Sequence, residues 1–281
     1  MMSVKIIVDS TCDLPLSDRE RLNIEILPLT LDFEGEIYRD AYDISKEEFF
    51  QKLARCKTLP TTSQINPATF LETYERLGAD GSELLVMTIS QNLSGTYQSA
   101  CVAAEQYPGK VRVVDSSLAT TAFAIMTELA CRKRDEGRSA DEIGDYLDQI
   151  KKNLAIVCCL NTLDNLHKGG RLPTTVTILG SMLNIKPVVL IQDGRISILH
   201  KARGMKSAIR WMVDYVAERG INPDLPIGFI HSTNPEGALE AKELFGEKVQ
   251  YGESMIQEIG AVIGTHIGSG CVAIACFWQE K

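Results

Sequence analysis

The residues with the clearest chemical potential lie in Ser90-Gln91-Asn92-Leu93-Ser94-Gly95-Thr96, between the apolar run Leu84 to Ile89 and the Ala-rich stretch Tyr97 to Ala104. The apolar run reads as a buried strand and the Ala-rich stretch as a helix. A strand, a small polar loop and a helix together aim free backbone N–H groups and a positive helix end at the loop, which suits an anion. Ser94 would place a hydroxyl at the helix mouth, and Gly95 would let a ligand approach the backbone. The same stretch also suits a plain helix cap by Ser94 or Thr96; taken alone, it supports both readings.

Other candidates are scattered. Asp9-Ser10 and Asp115-Ser116 each end an apolar run, and Thr61-Thr62-Ser63-Gln64 forms a polar loop. His266 sits inside the glycine-rich Gly264-Thr265-His266-Ile267-Gly268-Ser269-Gly270, so its side chain is expected to leave an accessible loop; a turn histidine bonded to nearby backbone is the plainer reading. Arg171 follows Gly169-Gly170 and Arg203 precedes Gly204; each suits an anion or partner contact, or a solvated surface. A phosphate loop of the G-x-x-x-x-G-K-[ST] type is absent. So is a G-x-S-x-G nucleophile elbow, because Asn92 stands two residues before Ser94. An acyl hydrolase built on Ser94 and His266 is the alternative function. The four histidines lie far apart in the chain, and no Cys/His spacing of a zinc site is present, so no metal is expected.

Composition narrows the classes. The chain has 281 residues, 44% of them apolar, and a formal net charge of −8, which argues against non-specific nucleic-acid binding. No apolar run approaches the roughly 18–20 residues of a membrane span. A strand follows directly on Met1-Met2-Ser3, which leaves no room for a signal peptide and points to the cytoplasm. The eight cysteines include adjacent Cys158-Cys159 and, five apart in a strand-like run, Cys271 and Cys276. Such placement suits small buried hydrophobes on opposite faces of a sheet in a reducing compartment.

The elements that must position these residues follow from periodicity and capping. Strands are expected over Lys5–Asp9, Leu84–Ile89 and Val111–Ser116, with an edge strand from Asn23 to Phe33 interrupted at Pro28. Helices are expected from Ser45 (capping box with Glu48) to about Cys56, from Asn66-Pro67 to about Leu77, over about Ala119 to Glu136, and from Ser139 (with Glu142) to about Lys152. This alternation predicts an α/β fold whose first domain holds a mainly parallel, doubly wound sheet, with ligand loops at the carboxyl ends of the strands. Beyond residue 152 come a strand over Leu154–Leu160, a helical turn over 162–168 and an apolar helix over Thr174–Leu183. Then come a hairpin about Asp193-Gly194, a helix from Met205, a strand over Ile227–His231, a helix from Asn234-Pro235 and a last strand. The expected division is 1–152 and 153–281, the second domain with a mixed sheet.

Several of these pieces occur together and in order: Val8-Asp9-Ser10, Thr62-Ser63-Gln64, Leu93-Ser94-Gly95-Thr96, Gly169-Gly170-Arg171, Lys186-Pro187, Arg203-Gly204 and Gly264-Thr265-His266. The set covers almost the whole chain and resembles the DegV family of bacterial fatty-acid-binding proteins. The resemblance implies two α/β domains with one long-chain fatty acid in the cleft between them, and no cofactor. Thr62 and Ser94 would hydrogen-bond the carboxylate, with Ser63 and Gly95 beside them and His266 close to the head group. Arg171 and Arg203 would lie on the surrounding surface, which in some members meets a fatty acid kinase that phosphorylates the bound acyl group. The chain would then be a carrier without catalysis of its own, in the service of phospholipid synthesis. Ile65 and Ser269 depart from the family pattern, where proline is common at both places.

The residues fit such a ligand. Each buried methylene contributes about 0.8 kcal/mol, whereas a bare buried carboxylate costs several kcal/mol, so a dry wall and a polar rim are both needed. Ile178, Leu179, Met182 and Leu183, which form one helical stripe, are candidate acyl-chain walls or plain core.

Overall fold

The computed structural model describes residues 3–172 and 184–280. The first part runs β1 (Val4–Asp9), α1 (Asp18–Arg21), β2 (Ile24–Leu27), β3 (Thr30–Phe33), β4 (Glu36–Arg39), α2 (Lys46–Arg55), β5 (Thr61–Ser63), α3 (Pro67–Gly78), β6 (Glu83–Thr88), α4 (Thr96–Gln106), β7 (Val111–Asp115), α5 (Thr120–Asp135) and α6 (Ala140–Ile150). The second runs β8 (Leu154–Cys159), α7 (Asp164–Lys168), β9 (Ile185–Gln192), β10 (Arg195–Arg203), α8 (Met205–Arg219), β11 (Ile227–His231), α9 (Pro235–Gly246), β12 (Ser254–Glu258), α10 (Ala261–Ile267) and β13 (Val272–Phe277).

The architecture is mixed α/β. A parallel four-stranded sheet, β2-β1-β6-β7, forms the first part, and a mixed six-stranded sheet, β10-β9-β8-β13-β11-β12, forms the second. In the parallel sheet β1 and β6 are fully or nearly fully buried along their length, as strands covered on both faces must be. Helices α3 and α4 pack on one another, as do α5 and α6, and both pairs contact the sheet.

Strands β8 and β13 alternate between two cores. Ile156, Cys158, Ala273 and Ala275 belong to a core continuous with the parallel sheet, while Val157, Cys159, Ile274 and Cys276 pack in a separate core with residues of α8 and α9. Cys271 and Cys276 therefore fall on opposite faces, as their spacing requires. All the cysteines are free thiols.

Capping accounts for several boundaries. Ser45 accepts from Glu48 N, Asn66 from Thr69 N ahead of Pro67, and Ser139 with Glu142 completes a full capping box. Two expectations change. The single edge strand from Asn23 to Phe33 is two strands in different sheets: Pro28 has no N–H to continue a ladder, and the chain leaves β2 for the antiparallel sheet β4-β3-β5. The polar loop at 61–64 contains a short strand, with Leu31 opposite Thr62.

Candidate functional site

An apolar cavity lies between the carboxyl-end loops of the parallel sheet and one face of the mixed sheet, with about 1000 Å³ of space including its mouth. Its walls come from both parts of the chain, among them Ile89 and Leu118 from the first, Ile156, Ile191, Ile230 and Cys158 from the second. Its polar groups are Thr62, Ser63, Gln64, Ser94, Arg171 and His266, with Gly95 among them and Thr120 on the wall. Five of the sequence candidates for the head group (Thr62, Ser63, Ser94, Gly95 and His266) thus line one cavity.

Each is positioned by a local cause. After β6 the chain turns tightly, Leu93 N and Ser94 N both donating to Ser90 O, and α4 starts from Gly95 without a side-chain cap of its own. Ser94 Oγ accepts from Thr96 N at 3.3 Å and lies 2.9 Å from Thr96 Oγ1, so it partly caps the helix while lining the cavity. A Cβ on Gly95 would lie 2.0 Å from Gln64 Oε1, so the glycine lets the Gln64 amide lie close over the start of α4. Gln64 in turn donates to Ser99 Oγ at 2.9 Å and joins the two hydroxyl-bearing segments.

His266 is placed differently from expectation. It lies on α10, not in a loop, with Nε2 3.0 Å from Thr62 Oγ1. The glycines around it serve the helix. Gly260 starts it, Gly268 (φ +75°) ends it, and a Cβ on Gly264 would lie 2.6 Å from the Phe49 ring, so Gly264 lets α10 pack close against α2. A Cβ on Gly169 would likewise lie 2.3 Å from His266 Nδ1. Burial, reinforced by the Arg171 guanidinium, pushes His266 down to about 4, so the ring is neutral at neutral pH.

Arg171, expected on the surface, is half-buried in the cavity lining. Helix α7 ends in a Schellman motif, with Gly170 at φ +70° donating to His167 O and Arg171 N donating to Leu166 O. That reversal sends the guanidinium across the mouth, where Nε donates to Leu93 O at 3.2 Å and Nη1 to Gly169 O at 2.7 Å. Arg203, at the end of β10, is exposed and does not line the cavity. Ile178, Leu179, Met182 and Leu183 lie outside the described residues.

Sequence reasoning misses Gln64 as a site residue, and its wall candidates do not include the described walls such as Ile89, Leu118, Ile156 and Ile230. The walls could have been sought in alternate positions of β8 and β13, but alternation does not say which face borders a cavity and which borders a helix. Ser94 Oγ pairs with Thr96 and His266 Nε2 with Thr62, so the serine hydroxyl and the ring are not paired with one another. A ring held near 4 also makes a weak proton acceptor for a serine at neutral pH. Among the described residues no cluster of His, Cys, Asp or Glu could hold a metal ion, and no helix is long and apolar enough to cross a membrane.

The comparisons with known proteins agree over the full length. The profile described as "uncharacterised protein, DegV family" matches residues 3–279. A DegV domain-containing protein of Caldanaerobacter subterraneus is 32% identical over 100% of both chains. Among solved structures, a DegV family protein of Thermus thermophilus described by its fatty acid binding has a TM-score of 0.90 at 32% identity, covering 99% of this chain and 100% of that one. A DegV lipid-binding protein of Thermotoga maritima has a TM-score of 0.89 at 30% identity, covering 100% of both.

Proposed function

The chain belongs to the DegV family, and from that premise we propose that it binds one long-chain fatty acid in the cavity, without catalysing a reaction on it. The observation that carries the reading is the layout of that cavity: apolar walls, with hydroxyls, a neutral imidazole and a guanidinium gathered at one rim. A tail of roughly fourteen methylenes would gain on the order of 11 kcal/mol by burial before the costs of association. In this reading Thr62 and Ser94 donate to the carboxylate, and Ser63, Gly95 and the first turn of α4 surround it. His266 stays neutral and orients Thr62. Arg171 supplies positive charge without being buried against the acid in a dry core.

The same reading takes 1–152 as the domain that carries the carboxylate loops and 153–281 as the domain that supplies acyl-chain walls. It gives the rim a second task, presenting the carboxylate to a fatty acid kinase for acyl-phosphate formation, with Arg171 and Arg203 on the docking surface. The exposure of Ser63 and Arg203 supports access from outside.

Mass spectrometry of an organic extract of the purified protein tests the proposal. A stoichiometric long-chain acid is expected; its repeated absence, with no binding of added oleate or palmitate, would overturn it.

A further inference from the structure

Where the turn after β1 meets the start of α10, three aspartates, Asp9, Asp13 and Asp40, are buried together. Two of them are well supplied with donors. Asp9 accepts from Thr11 N at 2.9 Å, from the Thr11 hydroxyl and from Ile89 N at 2.6 Å. Asp40 accepts from Ser10 Oγ at 2.7 Å and from Ala261 N, at the head of α10, at 3.2 Å. Asp13 is different. Neither carboxylate oxygen has a hydrogen bond of good geometry, although the Gly260 N–H faces them, and the side chain lines a small cavity with Ser10, Asp40, Lys46 and Gly260. A Cβ on Gly260 would lie 2.4 Å from Asp13 Oδ1, so the backbone that opens α10 rests directly on this carboxyl.

The surrounding charges do not neutralise it. Lys46 of α2 directs its ammonium at the carbonyls of Asp13 and Glu258, and Asp40 and Asp9 oppose a third negative charge. The Glu258 carboxylate faces Thr233 N and His231, whose ring burial holds neutral, and the Cys12 thiol stays protonated. Burial outweighs Lys46 and pushes Asp13 up to about 8, while Asp9 and Asp40, with their hydrogen bonds, are pushed up only to about 6.

We propose that Asp13 is a proton-operated latch on α10: protonated, it lets the turn and Gly260 close on one another, and ionised, it takes in water for its charge and loosens the seam. Helix α10 carries Val262, Ile263 and His266 into the main cavity, so the latch sets the position of one wall and part of the rim. The device does not depend on which ligand fills that cavity.

A carboxyl whose folded-state value is raised makes no unfavourable contribution below its unfolded value near 4, and the full one above its folded value. Stability therefore falls as pH rises from about 4 to about 8. Asp9 and Asp40 contribute with the same sign but are finished by about 6, which leaves the window between 6 and 8 to Asp13. Melting temperatures of the full chain test this. Between about pH 6 and about pH 9 the wild type should lose on the order of 5 °C more than Asp13→Asn. Protection of the amides over 261–267, taken relative to their intrinsic exchange rates at each pH, should fall at the higher pH in the wild type alone. Equal slopes in the two proteins would overturn the proposal. Should Asp13→Asn fail to fold, infrared titration of the wild type decides: a buried protonated carboxyl should vanish with a midpoint of about 8, and its absence near neutral pH would overturn the latch.

Discussion

The two ends of α10 solve opposite problems. Its first residues rest on Asp13 and Asp40, carboxylates sealed from water, while His266 near its last turn meets Thr62 at a half-buried rim. At the first end the charge belongs to the protein, and fixed donors hold two of the three acids. At the second the protein supplies neutral groups, and a guanidinium stands across the mouth. The contrast teaches how one helix can be anchored by charge and yet receive it. An internal carboxylate must be satisfied by the fold itself, as Asp9 and Asp40 are, or stay protonated, as Asp13 does, since a buried unpaired charge costs several kcal/mol. A rim meant for a ligand's carboxylate keeps donors uncommitted to any acid of its own.

Making the rim resemble the anchor should abolish binding. Ser94→Asp adds a permanent carboxylate where the ligand's is proposed to sit, and affinity for oleate, followed by titration calorimetry, should fall by roughly 100-fold or more. An unchanged affinity would mean that the acid end lies elsewhere.

The next effect separates the ends by pH. His266 is held below its ordinary value, so its contribution is complete above about 6.5 and is lost as pH falls toward about 4. The latch acid runs the other way, losing stability as pH rises. Between about pH 6.5 and about pH 4 the ligand-free wild type should lose on the order of 3 kcal/mol more than His266→Gln in denaturant unfolding. Equal changes in the two proteins would end the neutral-ring account of the rim.

A smaller effect probes how the ring is aimed. Gly169→Ala places a methyl against Nδ1 and should move the imidazole off Thr62, weakening lipid binding several-fold, about 1 kcal/mol, with a changed His266 NMR shift. Affinity and shift both untouched would show that the ring has room to spare. Smallest of all, Arg203→Ala should leave lipid affinity within about twofold while weakening coupling to a kinase. Equal loss of both would put Arg203 in the binding site.

Much of this was legible beforehand, for identifiable reasons. Ser139 with Glu142, Asn66-Pro67 and Asp193-Gly194 announce themselves because caps and tight turns are satisfied by residues a few positions apart. The ordered motifs pointed to the family and to Thr62, Ser94 and His266 together, although these are up to 204 residues apart in the chain. Less was readable where a residue answers to a distant neighbour. Gly260, Gly264 and Gly268 look like a loop because glycine usually interrupts helices. In the fold each faces a close contact or a helix end: Asp13, the Phe49 ring, and the α10 terminus. Arg171 reads as a surface residue until the Schellman turn swings it onto Leu93 O.

By itself the sequence determined the α/β alternation, the parallel sheet of the first part and the hydroxyl loops at strand ends, because periodicity, caps and turn chemistry act over one or two turns of chain. Tertiary structure alone decided that His266 rides on a helix, that Arg171 crosses the mouth and that three aspartates share one dry junction. Those outcomes depend on which atoms exclude water from which others, and exclusion is settled by packing between segments that no local pattern relates.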